Sequence, residues 1–78
     1  MPLHKYNITG KRIQQARIKA GMSQQKLASA LQECGFDIDT DFIYRVEAEN
    51  EFVPDYLLIA FSSILNVPYD HFWGRKSR

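Results

Sequence analysis

Apolar residues recur at the three- and four-residue spacing of a helix along most of the chain, and no stretch alternates convincingly with a period of two. The clearest pattern predicts a helix from about Asp55, with an apolar stripe formed by Leu57, Leu58, Phe61, Ile64 and Leu65. Asn66 follows as a left-handed stop. Pro68 suits the first turn of a last short helix that ends at Trp73. The pattern therefore predicts an all-α protein.

The beginning of the chain predicts a first helix that runs to about Ala20. Asn7 or Thr9 can cap its start, and Gly21 supplies a left-handed stop at its end. Its inward face carries Ile13, Ala16 and Ala20. Arg17 falls on the same face, and it needs a partner because burying an unpaired charge is costly.

Two more helices are predicted between this segment and the apolar stripe. Ser23 caps a second helix that begins at Gln24 and ends at Gly35. Its apolar face carries Leu27, Ala28 and Leu31. Asp39 caps a third helix that ends near Ala48. Only two residues separate the first and second helices, so these helices must turn sharply against each other.

The third helix divides into two faces. A step of about 100° per residue puts Val46 and Glu47 on the same inward face as Ile43. The outward face and its flank carry Asp41, Tyr44, Arg45 and Ala48. Asp41 precedes Arg45 by four residues, an order that supports an ion pair. Phe42 lies between the faces and is expected to be satellite core.

Length and charge limit the kinds of protein this can be. A chain of 78 residues forms one small domain. Ten Lys and Arg against nine Asp and Glu give a net charge of +1, so bulk charge does not point to a nucleic-acid partner. The single cysteine, Cys34, cannot form an internal disulfide, and no apolar run reaches the roughly 18 residues of a membrane span. We therefore expect a cytoplasmic protein without membrane segments.

Three segments together resemble a known family: GKRIQQARIKAGMSQQKLASAL, FIYRVE and VPDYLLIAFSSILNVPYDHF are similar to the Cro and phage-repressor helix-turn-helix family, of the xenobiotic-response-element type. The likeness spans about residues 8–73. It implies a compact five-helix lambda-repressor-like DNA-binding domain whose helix-turn-helix is formed by helices two and three. Residues 1–7 are then an N-terminal tail and 74–78 a basic C-terminal tail. The link between helices two and three is several residues longer than the family's usual turn.

The resemblance implies sequence-specific binding of double-stranded DNA by a small transcriptional regulator, with the third helix in the major groove. The family's base-reading positions fall on Thr40, Asp41, Tyr44 and Arg45. Gln24 matches a phosphate-binding position, and Gln25 and Lys26 lie beside it at a helix start that favours an anion. The family's inward ion pair falls on Arg17 and Glu47, both of which the periodicity also places on inward faces.

A second function stays open: a protein-interaction module that keeps the fold without specific DNA binding. The net charge is low, and the entry to the third helix is acidic at Asp37, Asp39 and Asp41.

These aspartates do not form a calcium loop, because Phe42 stands where glycine is needed and Ala48 where a glutamate is needed. His4 and His71 have no neighbouring Cys or His. We therefore expect no catalytic residue, metal site or cofactor.

The resemblance also raises the question of a homodimer. One small helix recognises a half-site weakly, so a DNA-binding chain is expected to dimerise on half-sites about one helical turn apart. Four aromatic residues can supply either a dimer surface or core closure: Phe52, Tyr69, Phe72 and Trp73. Core closure is the favoured role, because a small core needs large side chains.

Overall fold

The computed structural model describes residues 9–73, with side chains as far as Phe72. It contains four α-helices: α1 Gly10–Lys19, α2 Gln24–Glu33, α3 Thr40–Glu47 and α4 Asp55–Leu65. No strand occurs in this part of the chain, which confirms the predicted all-α class there. The predicted tails, 1–7 and 74–78, and the alternative cap Asn7 lie outside the described residues.

The predicted count of five helices is wrong. The last segment, Tyr69–Trp73, is a 3₁₀ helix rather than a fifth α-helix. Its backbone bond runs from the His71 amide to the Pro68 carbonyl at 2.9 Å, the i to i−3 pattern. Five residues are too few to repay the cost of nucleating an α-helix, whereas 3₁₀ turns are common in short pieces.

Side-chain caps start α2 and α3 where the sequence predicted them. The Ser23 hydroxyl accepts a bond from the Lys26 amide at 3.0 Å, and the Asp39 carboxylate accepts one from the Phe42 amide at 2.9 Å. Each cap satisfies one of the amide groups that a helix start leaves without a partner. Thr9 occupies the cap position of α1, but its side chain makes no capping hydrogen bond.

Left-handed residues end the helices. Gly21, Gly35 and Asn66 have φ values of 74°, 99° and 57°, as the sequence predicted. Glu49, just after α3, also lies in this region with φ 64°, although its side chain makes that conformation unfavourable. Its backbone amide bonds the Val46 carbonyl at 2.9 Å. The tight ending of α3 therefore fixes the direction of the chain that follows.

The core lies where all four helices meet. α3 packs against α1 and α2, while α4 and the 3₁₀ segment close the opposite side. The large apolar side chains that are fully or almost fully buried are Ile13, Leu27, Leu31, Ile43, Val46, Leu57, Leu58, Phe61, Leu65 and Phe72. Ala20, expected on the inward face of α1, is exposed. The reason is that α1 ends at Lys19, so Ala20 is a cap residue beyond the packed face.

The long link between α2 and α3 is anchored by one apolar residue. Ile38 is buried against the core, and its carbonyl accepts a hydrogen bond from the Gln32 side chain at 2.6 Å. Phe36 is half-buried and packs against the same core. The six residues between the two helices therefore form a packed connection that sets where α3 begins.

Candidate nucleic-acid interface

The inward side of α3 is fixed by an ion pair with α1. The carboxylate of Glu47 accepts bonds from Arg17 Nε at 2.6 Å and from Arg17 Nη2 at 3.0 Å. Both side chains are largely buried, and Arg17 Nη1 donates to the Met22 carbonyl at 2.8 Å. The structure thus brings together the two charged residues that the sequence placed on inward faces, and it satisfies the arginine further.

Gln24 adds the start of α2 to this network. Its side-chain Nε2 donates to Glu47 Oε1 at 3.0 Å. One carboxylate at the end of α3 therefore receives donors from both α1 and α2. A charge removed from water is tolerable when bonded in this way. The network fixes the position of α3 relative to the first turn of α2.

The first turn of α2 presents the predicted phosphate-contact residues. Gln25 and Lys26 are exposed, while Gln24 is half-buried because it reaches Glu47. The Lys26 amide is bonded to the Ser23 cap. Helix starts leave amides without intrahelical partners, and these favour an anion. The role of these three residues as phosphate contacts stays a prediction.

The outward face of α3 carries the four predicted base-reading residues. Thr40, Asp41 and Tyr44 are exposed, and Arg45 is half-buried. Tyr44 is 61% exposed, so most of its side chain faces solvent. These four residues lie together on one polar surface, because Ile43 and Val46 fall on the opposite, buried face of the same helix.

Arg45 is held by two carboxylates. Its Nη1 lies 2.5 Å from Asp41 Oδ2, the predicted pair of spacing four, and its Nε lies 2.9 Å from Glu51 Oε1. The hydrogen bond to Glu51, with the charges of Glu51, Asp41 and Asp39, raises the pKa of the Arg45 guanidinium above its ordinary value, against a lowering by desolvation. Arg45 therefore stays charged while its charge is locally balanced.

The Phe42 ring contacts the Arg45 guanidinium. The guanidinium carbon lies 5.9 Å from the centre of the Phe42 ring, within the range of a cation–π contact. Phe42 is half-buried and packs against the core, which agrees with the satellite-core role predicted for it. The ring thus joins the arginine to the packed interior.

A small surface depression joins the predicted phosphate and base contacts. Its volume is about 150 Å³, and it is lined by Lys11, Gln14, Gln24, Tyr44, Glu47 and Ala48. Residues of α1, α2 and α3 therefore meet at one place on the surface. Lys11 supplies a cationic side chain there, beside one predicted phosphate contact and one predicted base contact.

The sequence pattern does not predict two acidic residues of the candidate interface, Glu49 and Glu51. Glu51 lies six positions after Arg45, which is not a helical spacing, so no periodicity could have paired them. Glu49 is buried, and its carboxylate lies 3.4 Å from the Lys11 amide in the first turn of α1. A carboxylate is favoured at a helix start. A glutamate followed by Asn50 gives no sequence signal for the left-handed conformation that places it there.

A second exposed surface is aromatic. Phe52, Tyr56 and Ile59 are between 60% and 66% exposed, and Tyr56 stacks on Phe36 with ring centres 6.2 Å apart. We call these four residues the aromatic surface; Phe36, Phe52 and Tyr56 border a groove of about 540 Å³. Of the aromatic residues expected to close the core, Phe72 is fully buried and Tyr69 is half-buried, whereas Phe52 is not part of the core. The side chain of Trp73 lies outside the described side chains.

Other chemistry is sparse. Within residues 9–73 no group of three or more His, Cys, Asp and Glu side chains could hold a metal ion. His71 Nε2 is buried and has no hydrogen-bond partner in the described part of the chain. It borders a surface cavity of about 600 Å³ between α1 and the end of α4, lined also by Gln15, Lys19, Leu65 and Asn66. None of the predicted DNA-contact residues lines this cavity.

Comparison with known proteins adds no family assignment: no protein-family model matches this chain, and no curated protein or solved structure matches it significantly. Among the helices that the structure describes, none combines the length and apolar character needed to cross a membrane.

Proposed function

We propose that this chain is a sequence-specific double-stranded DNA-binding domain of the Cro and phage-repressor helix-turn-helix type, acting as a small cytoplasmic transcriptional regulator. In this proposal α2 and α3 form the helix-turn-helix and α3 enters the major groove. The observation that carries the proposal is the division of α3. Its inward face is held by Arg17 through Glu47, while its outward face presents four polar residues.

The size and chemistry of α3 support this role. Eight residues make a helix about 12 Å long, which matches the roughly 12 Å width of the major groove. Arginine is the usual reader of guanine, and an aspartate can accept a bond from cytosine. Arg45 is therefore assigned to a guanine, with Asp41 either orienting it or reading a neighbouring cytosine. Thr40 and Tyr44 flank them.

Contacts to phosphate are assigned to the start of α2. Lys26 is exposed in the first turn, where a positive charge opposes the helix dipole, a placement that makes sense beside an anion. Gln24 and Lys11 border the depression that also contains Tyr44. Phosphate contacts there would set the register of α3 without reading sequence.

A protein-interaction module is the second candidate function, and the aromatic surface favours it. Three large apolar side chains, Phe52, Tyr56 and Ile59, are more than half exposed. The carboxylates around Arg45 also reduce its attraction for phosphate. A second copy of the chain is one candidate occupant of this surface, because a DNA-bound dimer is expected from the weakness of a single half-site.

Selection from a random duplex library distinguishes the two functions. The salt concentration is fixed at about 100 mM, because both specific and non-specific binding depend on salt. We expect the purified chain to enrich a motif, and Arg45→Ala to lose the preference for guanine at one position within it. The matched control is Lys19→Ala, which removes a positive charge from the end of α1. A chain that enriches no motif would contradict DNA reading and direct attention to the aromatic surface.

A further inference from the structure

Glu51 lies outside α3, yet its carboxylate accepts a hydrogen bond from Arg45 Nε at 2.9 Å. We infer that Glu51 positions Arg45 for a guanine and so sets the base preference of the protein rather than its general affinity for DNA. This inference rests on the proposed function, because it concerns how one of the proposed base-reading residues works. Glu51 is a positioning residue and is not assigned a contact to DNA.

The guanidinium of Arg45 is restrained on three sides. Glu51 accepts a bond from Nε, Asp41 accepts one from Nη1, and the centre of the Phe42 ring lies 5.9 Å from the guanidinium carbon. Nη2 has no hydrogen-bond partner among the described residues. An arginine side chain ordinarily samples many rotamers, and fixing it before binding reduces the entropy lost when the complex forms.

The groups that remain free match a guanine. Arginine carries five N–H donors, and the two carboxylates engage one donor each on Nε and Nη1. Both N–H groups of Nη2 and the second N–H of Nη1 are left, enough to reach the O6 and N7 acceptors of guanine together. Guanine recognition therefore does not require either carboxylate to be displaced.

The same carboxylates discourage contacts to phosphate. Asp41 and Glu51 balance the positive charge of Arg45 and repel a nearby phosphate group. A base edge carries no net charge, so the carboxylates repel it less than they repel a phosphate. Arg45 is thereby directed towards bases, while the positive charge that attracts the DNA backbone comes from residues such as Lys26 and Lys11.

Glu51 is better fixed than Asp41 for this task. Its side chain is 30% exposed, against 72% for Asp41. The loop before it is tied back to α3 by the bond from the Asn50 amide to the Arg45 carbonyl at 2.9 Å. After Glu51 the chain is anchored by the buried Val53. The acceptor at Nε therefore belongs to a packed turn.

Two variants of one position separate geometry from charge. Glu51→Ala removes both the carboxylate charge and the acceptor, whereas Glu51→Gln removes the charge but keeps an acceptor oxygen at the same distance along the side chain. Glu33→Ala is the matched control, because Glu33 is an exposed glutamate at the end of α2 with no partner among the described residues. Each variant of the chain is measured by library selection and by affinity for an unrelated duplex.

We expect Glu51→Ala to reduce the guanine preference by about fivefold or more, at the same position where Arg45→Ala abolishes it. About fivefold is the lower end of what one bidentate contact discriminates. Glu51→Gln should keep most of that preference. Both should bind the unrelated duplex equally well, and at least as tightly as the unaltered chain. Circular dichroism shows whether each variant is folded.

The outcomes separate this inference from the proposed function. If Glu51→Ala keeps the preference, or if Glu51→Gln loses as much of it as Glu51→Ala does, Glu51 does not act by positioning Arg45. In both cases the DNA-reading function would stand. If the unaltered chain enriches no motif at all, the proposed function fails, and this inference fails with it.

Discussion

Two arginine–carboxylate pairs lie on opposite sides of α3, and they differ mainly in exposure. The Arg17 and Glu47 side chains are 12% and 2% exposed, whereas those of Arg45 and Asp41 are 42% and 72% exposed. Both arginines meet their carboxylates at short distances. A buried pair loses its hydration and must be satisfied within the protein. An exposed pair keeps water and can exchange it for a ligand. Burial therefore distinguishes the structural pair, Arg17 and Glu47, from the pair proposed to contact bases, Arg45 and Asp41.

The largest effect is expected from breaking the buried pair. Glu47→Ala leaves Arg17 buried without its partner and removes the acceptor for Gln24. The free energy of unfolding should fall by about 3 to 5 kcal/mol, as is typical when one partner of a buried pair is removed. This is a large share of the roughly 4 to 12 kcal/mol expected for a domain of this size. Urea denaturation followed by circular dichroism measures it.

The exposed pair provides the control for that measurement. Arg45→Ala should shift the midpoint of urea denaturation much less than Glu47→Ala does, because solvent-exposed ion pairs contribute little to stability. Equal losses of stability in Glu47→Ala and Arg45→Ala would show that exposure does not separate the two pairs.

A smaller effect is expected at the acidic entry to α3. Asp39→Ala removes the cap that accepts a bond from the Phe42 amide, and it should destabilise the protein by about 0.5 to 2 kcal/mol. Asp37→Ala is the matched control, since Asp37 is exposed and makes no hydrogen bond or ion pair in the described residues. If the two variants lost equal stability, Asp39 would have no special role as a cap.

The smallest effect on stability, with the opposite sign, is expected at the start of α2. Lys26→Ala should stabilise the protein by about 0.3 to 1 kcal/mol, because a positive charge opposes the dipole there. The same variant should bind all duplexes more weakly and reduce the slope of log affinity against log salt by about 1. Fluorescence anisotropy at several salt concentrations measures that slope. An unchanged slope would remove Lys26 from the proposed phosphate contacts.

Much of the fold could be predicted because its determinants are local. Ser23 and Asp39 are caps that act within one helical turn, and Asn66 is a short polar residue that tolerates the left-handed conformation. The burial of Glu47 followed from helical periodicity. By contrast, the pattern predicted the last segment as one of five helices of an all-α fold, and the structure has a 3₁₀ helix there. A proline and an apolar pattern do not reveal that so short a segment cannot repay the cost of nucleating an α-helix.

The candidate site was only partly predictable. The spacing of Asp41 and Arg45 indicated their contact, because residues four apart share a helix face. The contact between Arg45 and Glu51 depends on the turn after α3, which begins with Glu49 in an unfavourable conformation. Likewise, nothing in the helical pattern placed Phe52 at the surface beside Tyr56. Such placements depend on tertiary packing of the loop.

The most direct test of the central claim, that the outward face of α3 binds DNA, is to map which backbone amides of the ¹⁵N-labelled chain shift when duplex DNA is added at low salt. We predict the largest shifts at 40–45 in α3 and at 24–26 in α2. Smaller shifts are expected near Lys11. No shift, or shifts concentrated at Phe52, Tyr56 and Ile59, would contradict the assignment of α3 to the major groove.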